Sequence, residues 1–280
     1  MECMNCQYQP IQESDNLYAS SVLPYCTNTC FGHARYLYTP STGSTNDDAH
    51  ALIKEDTPHG TLIVTDNQTE GRGRHNRSWA SPPNTGIYAS LILRPQRPLQ
   101  EATLLGIAAA IAAVQAIKKT AKAKAHIKWP NDILLHQRKI AGILTETDIQ
   151  SDESYAVIIG FGMNVNTPYT ALPERIIFPA SSMQIELDRR TSRPQLLANW
   201  LVCMENLYQQ WQDEQISDII AAWHQSAYGL GKTISIEQQD QTITGVLQGM
   251  AEDGSLLVKG TMGEIIRITS GDVTATSFHT

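Results

Sequence analysis

A short loop carries positive charge that could bind an anionic ligand. The segment Gly71-Arg72-Gly73-Arg74-His75-Asn76-Arg77 places three arginines close together in a protein of negative net charge. Guanidinium groups bind carboxylates and phosphates through paired hydrogen bonds, and glycines let a backbone approach a ligand closely. A solvated basic turn or a nucleic-acid-binding tail could have the same composition. However, the loop lies between two predicted strands, where a tail is not expected, and this favours ligand binding.

Two further segments carry groups suited to a pocket. Lys128 ends a predicted strand and precedes Trp129-Pro130-Asn131-Asp132. At an exposed strand end its ammonium group could bring two mutually repelling anions together, although a surface lysine before a turn is the ordinary explanation. The segment Gly160-Phe-Gly162-Met-Asn164-Val-Asn166 is expected to follow an apolar strand. Its exposed amides could contact a phosphate or a nucleobase, or the segment could simply be a tight turn.

The periodicity around these segments predicts the elements that position them. Strands are predicted at residues 34–38, 61–65, 86–93, 124–129, 132–136, 140–147 and 155–160. Helices are predicted after Asn46 as the N-cap, over residues 101–119, and after Ser192 as the N-cap. Apolar residues between Leu196 and Trp211 form one continuous helical face, and Cys203 on that face is expected in the core.

Near Gly229 the pattern changes to short alternating or β-branched runs. They lie at residues 232–236, 242–249, 255–259 and 264–269, with turns at Asp253-Gly254 and Met262-Gly263. The fold class predicted is therefore α+β, with a central mixed β-sheet, flanking helices and a small C-terminal β-barrel. The expected domains are an N-terminal extension at 1–30, a catalytic domain at 31–227 and the barrel at 228–280.

Composition and charge exclude several classes of protein. The chain has 280 residues, of which 41% are hydrophobic and 18% charged, as in an ordinary soluble globular protein. A net charge of −7 argues against a general nucleic-acid binder. The longest apolar run, residues 104–114, is shorter than the ~20 residues of a membrane span, and no signal-peptide pattern begins the chain. We therefore expect a cytoplasmic protein without a membrane partner.

Four of the five cysteines, Cys3, Cys6, Cys26 and Cys30, lie near the N-terminus. Disulfides are not expected in a reducing cytoplasm. The Cys-x-x-Cys and Cys-x-x-x-Cys spacings are ones that a tetrahedral zinc site can use. The segment between the two pairs is polar and irregular, however, which favours reduced thiols on a loose extension over a zinc site.

Taken in chain order, the segments resemble the biotin protein ligase family. The resemblance rests on Ser44-Thr45-Asn46, Gln68, residues 71–77, residues 128–132, Arg138-Lys139-Ile140-Ala141-Gly142-Ile143-Leu144 and residues 160–166. It covers roughly residues 34–275 and implies that the C-terminal barrel is SH3-like. Related lipoate ligases lack the Lys-Trp-Pro-Asn-Asp string. The family usually has a further basic or glycine residue where His75 and Asn76 stand, a departure that bears on loop detail.

The resemblance implies an enzyme with ATP and Mg²⁺ as cofactors. It would form biotinyl-5′-AMP and transfer biotin to a specific lysine of a biotin carboxyl carrier protein. Biotin would be bound by Ser44, Thr45, Asn46, Gln68, Gly71, Arg72, Gly73, Arg74 and Lys128, and the nucleotide by Arg77, Trp79, Asn131 and Asn164. Lys128 and Arg74 would be catalytic, with Lys128 bridging the biotin carboxylate and the α-phosphate. The adenylate loop would lie at about residues 167–182.

Three alternatives are each disfavoured by one feature of the sequence: the Trp-Pro-Asn string, the net charge of −7, and the presence of Lys128 and the arginines, in the order that follows. A lipoate or octanoyl ligase could use the same scaffold, a nucleic-acid binder could use residues 71–77, and a biotin sensor could bind without catalysis. About thirty residues precede the expected catalytic domain, which is too few for the roughly 60-residue repressor module of some family members. No DNA partner is therefore expected, and the sequence leaves the oligomeric state open, with a homodimer as one alternative.

Overall fold

Seven strands form a mixed sheet at the centre of the protein. A computed structural model describes residues 15–151, 154–173, 179–238 and 241–276. The strands are β1 (Tyr36–Thr39), β2 (Thr61–Thr65), β3 (Gly86–Leu93), β4 (His126–Lys128), β5 (Asp132–Leu135), β6 (Arg138–Ser151) and β7 (Ser154–Asn164). Their order is β1-β2-β3-β7-β6-β5-β4, in which β1 and β2 are parallel and the other neighbours antiparallel. The predicted mixed sheet is confirmed.

Helices cover both faces of this sheet. They are α1 (Ala19–Val22), α2 (Thr45–Ile53), α3 (Thr103–Ala121), α4 (Met183–Leu187), α5 (Arg193–Gln212) and α6 (Ile216–Ser226). Successive residues of a strand point to opposite faces. Leu62 and Val64 accordingly belong to the large core cluster that includes α3 and α5, whereas Ile63 packs with Ala49 and Ile53 of α2. Helix α2, whose first residues are predicted to bind a ligand, therefore packs on the face of the sheet opposite to α3 and α5.

Helix α3 is more apolar than the other long helices among the described residues. The stretch Leu99–Ala121 has the length and composition of a membrane-crossing helix, yet 72% of its most apolar window is buried inside the protein. Its partner α5 donates a hydrogen bond from Trp200 Nε1 to Ala109 O, at 3.2 Å. Phe161 of β7 stacks on Trp200, with ring centroids 4.5 Å apart. These contacts identify α3 as the central helix of the core.

Several local predictions can be compared directly with the elements. The predicted bounds of β2 and β3 agree with the structure, Ser192 Oγ caps α5 by accepting from Gln195 N at 3.4 Å, and Cys203 is buried. Asn46 is not an N-cap. Helix α2 begins at Thr45 with Ser44 as the N-cap, because the Asn46 side chain bonds a neighbouring strand instead.

The C-terminal strands form a second, antiparallel sheet. They are β8 (Thr233–Gln238), β9 (Gln241–Met250), β10 (Leu256–Lys259), β11 (Ile265–Ile268) and β12 (Asp272–Thr276), in the order β11-β10-β9-β8-β12. Strand β12 was not predicted. Buried residues such as Ile236 and Leu256 belong to the same core cluster as the seven-stranded sheet. In the described residues the sheet thus packs directly against the rest of the protein.

Residues 15–30 are not a loose extension, so this expectation is wrong for that part of the chain. Leu17 and Val22 are fully buried, and Asp15 forms an ion pair with Arg193, with Oδ2 3.2 Å from Nε. Helix α1 has only four residues, too few to show a periodic apolar face in the sequence. Residues 1–14 lie outside the described part, and the domain boundaries stay a prediction.

Of the two described N-terminal cysteines, Cys26 is buried in this packing and Cys30 is exposed beside it. Cys26 is buried, and burial raises the pKa of its thiol to about 12. Cys30 Sγ donates to Glu205 Oε1 at 2.6 Å, and burial together with that carboxylate raises its pKa to about 11. Cys3 and Cys6 lie outside the described residues, so the zinc hypothesis stays a prediction. Among the residues that are described, no three or more His, Cys, Asp or Glu side chains are grouped to hold a metal.

Candidate active site

One pocket brings together most of the predicted site residues. It lies between the start of α2, the arginine loop (residues 71–77), β6, β7 and the start of β12. Its walls include Ser44, Thr45, Asn46, Gln68, Arg72, Gly73, Arg74, Arg77, Trp79, Asn131 and Asn164. Two predicted residues lie beside the walls. A Cβ atom on Gly71 would be 2.5 Å from Trp79 O, so Gly71 contributes by having no side chain, and Lys128 lies deeper.

One end of the pocket is a network of neutral polar groups. The Thr45 backbone N and Oγ1 both donate to Gln68 Oε1, at 3.0 and 3.1 Å, and Gln68 Nε2 donates to Ser81 Oγ at 3.2 Å. Ser90 Oγ donates to Asn46 Oδ1 at 2.6 Å. Thr45 and Asn46 are buried, so their polar groups are held in fixed orientations. Such a corner suits an uncharged ligand head with both donors and acceptors.

The arginine loop is tied to two elements. Arg72 makes a bidentate pair with Asp47 of α2, at 2.5 and 2.6 Å, and this hydrogen bonding lowers the pKa of the Asp47 carboxyl. Arg74 Nη1 and Arg77 Nη2 donate to the two carboxylate oxygens of Asp272, each at 2.8 Å. The loop is thereby held over the pocket from the helix side and from the C-terminal sheet.

Lys128 is buried, so the expectation of an exposed strand end is wrong. Strand β4 pairs with β5 so that Lys128 lies opposite Asp132, and Lys128 Nζ is 2.9 Å from Asp132 Oδ2. The ammonium group also donates to Val273 O at 3.2 Å, because β12 covers this strand end. Lys139 Nζ lies 2.5 Å from the other oxygen of Asp132. The result is a cation cluster of Lys128, Asp132 and Lys139 next to the pocket.

The pKa of Asp132 reflects the balance of charge in this cluster. Burial acts to raise the pKa of Asp132, but the ammonium groups of Lys139 and Lys128 outweigh it and hold the pKa below its usual value. Asp132 is therefore ionised at neutral pH, and two cations share one anion. The excess positive charge can attract an anionic ligand into the adjacent pocket.

The segment that begins at Gly160 was predicted to follow a strand and to expose its backbone amides, and this prediction is wrong. Gly160 and Gly162 lie within β7, paired with β3 on one side and β6 on the other. Their function is to leave space. A Cβ atom on Gly162 would be 2.8 Å from the Trp79 ring, and one on Gly160 would be 2.6 Å from Asn46 Oδ1. Lys139 Nζ lies 5.5 Å from the Trp79 ring centroid, within cation–π range.

The two predicted nucleotide-binding asparagines order segments beside the pocket. Asn131 Nδ2 donates to Ile143 O at 2.7 Å, and Asn164 Nδ2 donates to Ser181 O at 3.0 Å. Of the expected adenylate loop, Leu172 and Pro173 line the pocket, and residues 174–178 lie outside the described part.

Three charged wall residues had no predicted role: Asp132, Lys139 and Asp272. Asp132 and Lys139 stood within the segments that carry the family resemblance, so their charge and position were a usable signal. Asp272 had no local signal, because it reaches the pocket only through the packing of β12.

Together, the sheet, its pocket and the two family models that the chain matches define the protein as a ligase. Residues 38–164 match the Biotin/lipoate A/B protein ligase family, and residues 229–274 match the Biotin protein ligase C terminal domain. These matches cover the catalytic sheet and the C-terminal sheet respectively.

Individual proteins agree with the domain matches. The chain is 36% identical over 237 residues to the Bifunctional ligase/repressor BirA of Bacillus subtilis, covering 85% of this chain and 73% of that protein. It is 30% identical over 226 residues to the Biotin–[acetyl-CoA-carboxylase] ligase of Paracoccus denitrificans, covering 79% and 93%. The structure of biotin protein ligase from Aquifex aeolicus in complex with biotin and ATP superposes with a TM-score of 0.74 at 26% identity, covering 87% and 99%. The chain belongs to the biotin protein ligase family.

Proposed function

We propose that the protein activates biotin with ATP as biotinyl-5′-AMP and transfers biotin to a specific lysine of a biotin carboxyl carrier protein. One observation carries this proposal: a single pocket joins a neutral hydrogen-bonding corner at Thr45, Asn46 and Gln68 to a cationic end formed by the arginine loop and Lys139. Biotin has a neutral ureido head, an apolar body and a carboxylate tail. Its ends match the two ends of the pocket.

In the first step, an oxygen of the biotin carboxylate attacks the α-phosphorus of ATP and pyrophosphate leaves. No general base is required, because a carboxylate is already ionised at neutral pH. The difficulty is that two anions must approach each other. Lys128 and Lys139, both paired with Asp132, and the guanidinium groups of Arg74 and Arg77 would reduce that repulsion and align the reacting groups.

In the second step, the neutral amine of the carrier lysine attacks the acyl carbon of the adenylate. An amide bond forms, the acyl–phosphate bond breaks, AMP leaves, and the amine proton passes to solvent or to AMP. The arginine loop contributes by excluding water from the mixed anhydride until the carrier arrives. Its bonds to Asp47 and Asp272 would hold it in that position.

Mg²⁺ would arrive with the nucleotide as MgATP. Magnesium in nucleotide sites is commonly held by substrate phosphates, water and one or two carboxylates. The pocket wall supplies two carboxylates, Asp132 and Asp272, and each is already paired with two cationic side chains. Substrate phosphates and water would therefore supply most of the magnesium ligands.

The neutral corner favours biotin over lipoate. The dithiolane ring of lipoate has no strong hydrogen-bond donor or acceptor, so it would leave the buried amide of Asn46 and the half-buried amide of Gln68 without ligand partners. The proposal also includes a cytoplasmic location, where carboxylase carriers are made, and an SH3-like fold for the C-terminal sheet.

Incubation of the purified protein with MgATP, labelled biotin and a carrier domain tests the proposal. We expect biotin-dependent pyrophosphate release and label on the carrier, but no label on a carrier whose acceptor lysine is replaced by arginine. Excess lipoate should not compete. Absence of biotin-dependent pyrophosphate release, or preferential transfer of lipoate, would contradict the proposed function.

A further inference from the structure

Glu146 of β6 contacts two residues of the pocket wall, Asn46 of α2 and Arg72 of the arginine loop. Asn46 Nδ2 donates to Glu146 Oε2 at 2.7 Å, and Arg72 Nη2 lies 3.6 Å from Glu146 Oε1. We propose that Glu146 is a positioning residue that fixes the orientation of the Asn46 amide and thereby sets which head group the site accepts. The proposal rests on the proposed function, because it assigns Asn46 to the biotin head group.

The position of Glu146 follows from the two-residue period of β6. Side chains alternate between the faces of the sheet, so Glu146 and Asp148 face α2, whereas Thr145 faces Gly106 of α3. On the α2 face, Glu146 and Asp148 meet Asn46 and His50, which lie one helical turn apart. The register of one strand against one helix therefore places a carboxylate directly beneath the buried amide.

The Glu146 carboxylate determines which end of the Asn46 amide faces it. An ionised carboxylate only accepts hydrogen bonds, so the amide group of Asn46 must turn its NH₂ toward Glu146. On its other side, Asn46 Oδ1 accepts from Ser90 Oγ at 2.6 Å. A flipped amide would point its oxygen at the Glu146 carboxylate, and two acceptors in contact repel each other, whereas Ser90 Oγ could still donate to Thr45 Oγ1 at 2.7 Å. Glu146 thus stabilises one of the two amide orientations.

Space for this arrangement is provided by Gly160. A Cβ atom at that position would lie 2.6 Å from Asn46 Oδ1 and 3.1 Å from Asn46 Nδ2. The amide is therefore confined between β7, Ser90 and Glu146, and it presents a fixed set of donor and acceptor positions to the pocket. Fixed polar groups of this kind discriminate strongly between ligands, because a mismatched ligand leaves a buried group unpaired.

The second oxygen of Glu146 connects the Asn46 amide to the loop. Arg72 is held chiefly by Asp47, and Glu146 adds a weaker contact to the same guanidinium group. His50 Nε2 also lies 3.5 Å from Glu146 Oε2, which keeps the carboxylate in place. One carboxylate consequently touches both the residue that would face the head group and the loop that would close over it.

Replacement of Glu146 by Gln tests the assignment, since Gln has nearly the same size but can donate as well as accept. We expect the KM for biotin to rise roughly 10-fold or more, as for loss of a hydrogen bond to a charged group, while kcat and the KM for ATP change less than about threefold. The preference for biotin over 2-iminobiotin in kcat/KM should also fall, because the amide can turn. Glu146→Asp, which keeps the charge, should retain more of that preference.

Asp148→Asn is the matched control. Asp148 lies on the same face of β6, but its carboxylate bonds His50 Nδ1 at 3.0 Å rather than Asn46. We expect this variant to keep the wild-type KM for biotin within about twofold. Far-UV circular dichroism and calorimetric titration of biotin without ATP separate folding from binding. If Glu146→Gln does not fold, the test is made with Glu146→Asp, by calorimetric titration of biotin and of 2-iminobiotin.

Two results would overturn the inference. One is an unchanged biotin KM and an unchanged preference over 2-iminobiotin in folded Glu146→Gln protein. The other is a parallel rise in the KM values for biotin and ATP, which would indicate a general structural role. Failure of the proposed function is a separate result, since it would be seen as absence of biotin-dependent pyrophosphate release in the wild-type protein.

Discussion

Arg74 Nη1 donates a hydrogen bond to Asp272 Oδ1 at 2.8 Å, although the two residues lie 198 positions apart in the chain. Asp272 is the first residue of β12, and its second oxygen accepts from Arg77. The C-terminal sheet therefore holds the arginine loop directly. Packing of the two sheets and the position of the loop over the pocket are linked by one carboxylate.

Removal of that carboxylate should loosen the loop. In Asp272→Ala, the guanidinium groups of Arg74 and Arg77 lose their shared partner, while the backbone pairing of β12 with β8 is retained. Limited trypsin digestion without ligands should cut after the loop arginines several-fold faster than in the wild type. Asp253→Ala, which removes an Asp–Arg pair with Arg267 elsewhere in the C-terminal sheet, is the control. Equal cleavage rates in all three proteins would show that Asp272 does not restrain the loop.

Lys128→Met should show how much the charge of Lys128 contributes to catalysis, as distinct from the packing of its side chain. Methionine preserves most of the apolar stem, whereas loss of one transition-state cation should slow biotin-dependent pyrophosphate exchange by ~10²–10³-fold. Asp132 keeps Lys139 as a partner, so the free energy of unfolding should fall by only about 1–3 kcal/mol. Urea unfolding measures that change, and Lys118→Met on the exposed side of α3 serves as control. A folded Lys128→Met protein with wild-type exchange would remove Lys128 from the catalytic set.

Truncation through residue 30 should destabilise the protein, because residues 15–30 belong to the core. Leu17 and Val22 are fully buried, and burial of each such side chain contributes ~1.5–3 kcal/mol. Relative to a chain that begins at residue 15, a chain that begins at residue 31 should lose at least about 3 kcal/mol in urea unfolding. If the two chains unfold at the same urea concentration, the packing of α1 does not contribute to stability.

Alkylation of Cys30 should increase with pH well into the alkaline range. Burial and the Glu205 carboxylate raise the pKa of this thiol to about 11, and only the thiolate reacts rapidly. Between pH 7 and pH 10 the reaction with iodoacetamide should therefore accelerate about tenfold for each pH unit. Glu205→Gln should lower the pKa and increase the rate at pH 8. Mass spectrometry of the Cys30 peptide measures both, and a rate that levels off below pH 9 would contradict the assignment.

Much of the catalytic sheet could be predicted because its signals are local. Strands β2 and β3 consist of apolar or β-branched runs, and Ser192 precedes a long amphipathic helix. Site residues in contiguous segments, such as residues 44–46 and the arginine loop, were likewise identifiable. The residue types in these segments, and the order of the segments along the chain, were enough to predict a ligand site, and the structure brings them to one pocket.

The remaining features depend on contacts between distant segments. Lys128 is buried only because β12 packs over the end of β4, and the sequence around Lys128 does not contain that contact. Gly162 resembles a turn glycine, but its function is to make room for Trp79. Asp272 reaches the pocket through sheet packing, and Glu146 reaches the pocket residues Asn46 and Arg72 through strand register, so their roles become visible only in three dimensions.

Arg74→Gly should separate formation of the adenylate from its retention. Formation requires two anions to approach each other, and Lys128, Lys139 and Arg77 would still be present to reduce their repulsion. Retention requires the arginine loop to stay closed, and Arg74 links that loop to Asp272. Glycine removes this link and also increases the freedom of the backbone. The substitution should therefore weaken retention more than activation.

The consequence can be measured on bystander proteins. A biotinyl-adenylate that escapes the pocket reacts with exposed lysines on any protein, so Arg74→Gly should label albumin in a biotin- and ATP-dependent way, detected by streptavidin blotting. Asp272→Ala should increase labelling in the same direction, because it removes the same link from the other side. If Arg74→Gly forms adenylate without labelling albumin more than the wild type, Arg74 acts only by its charge in the first step. If Arg74→Gly labels albumin and Asp272→Ala does not, Arg74 holds the adenylate through direct contact rather than through the C-terminal sheet.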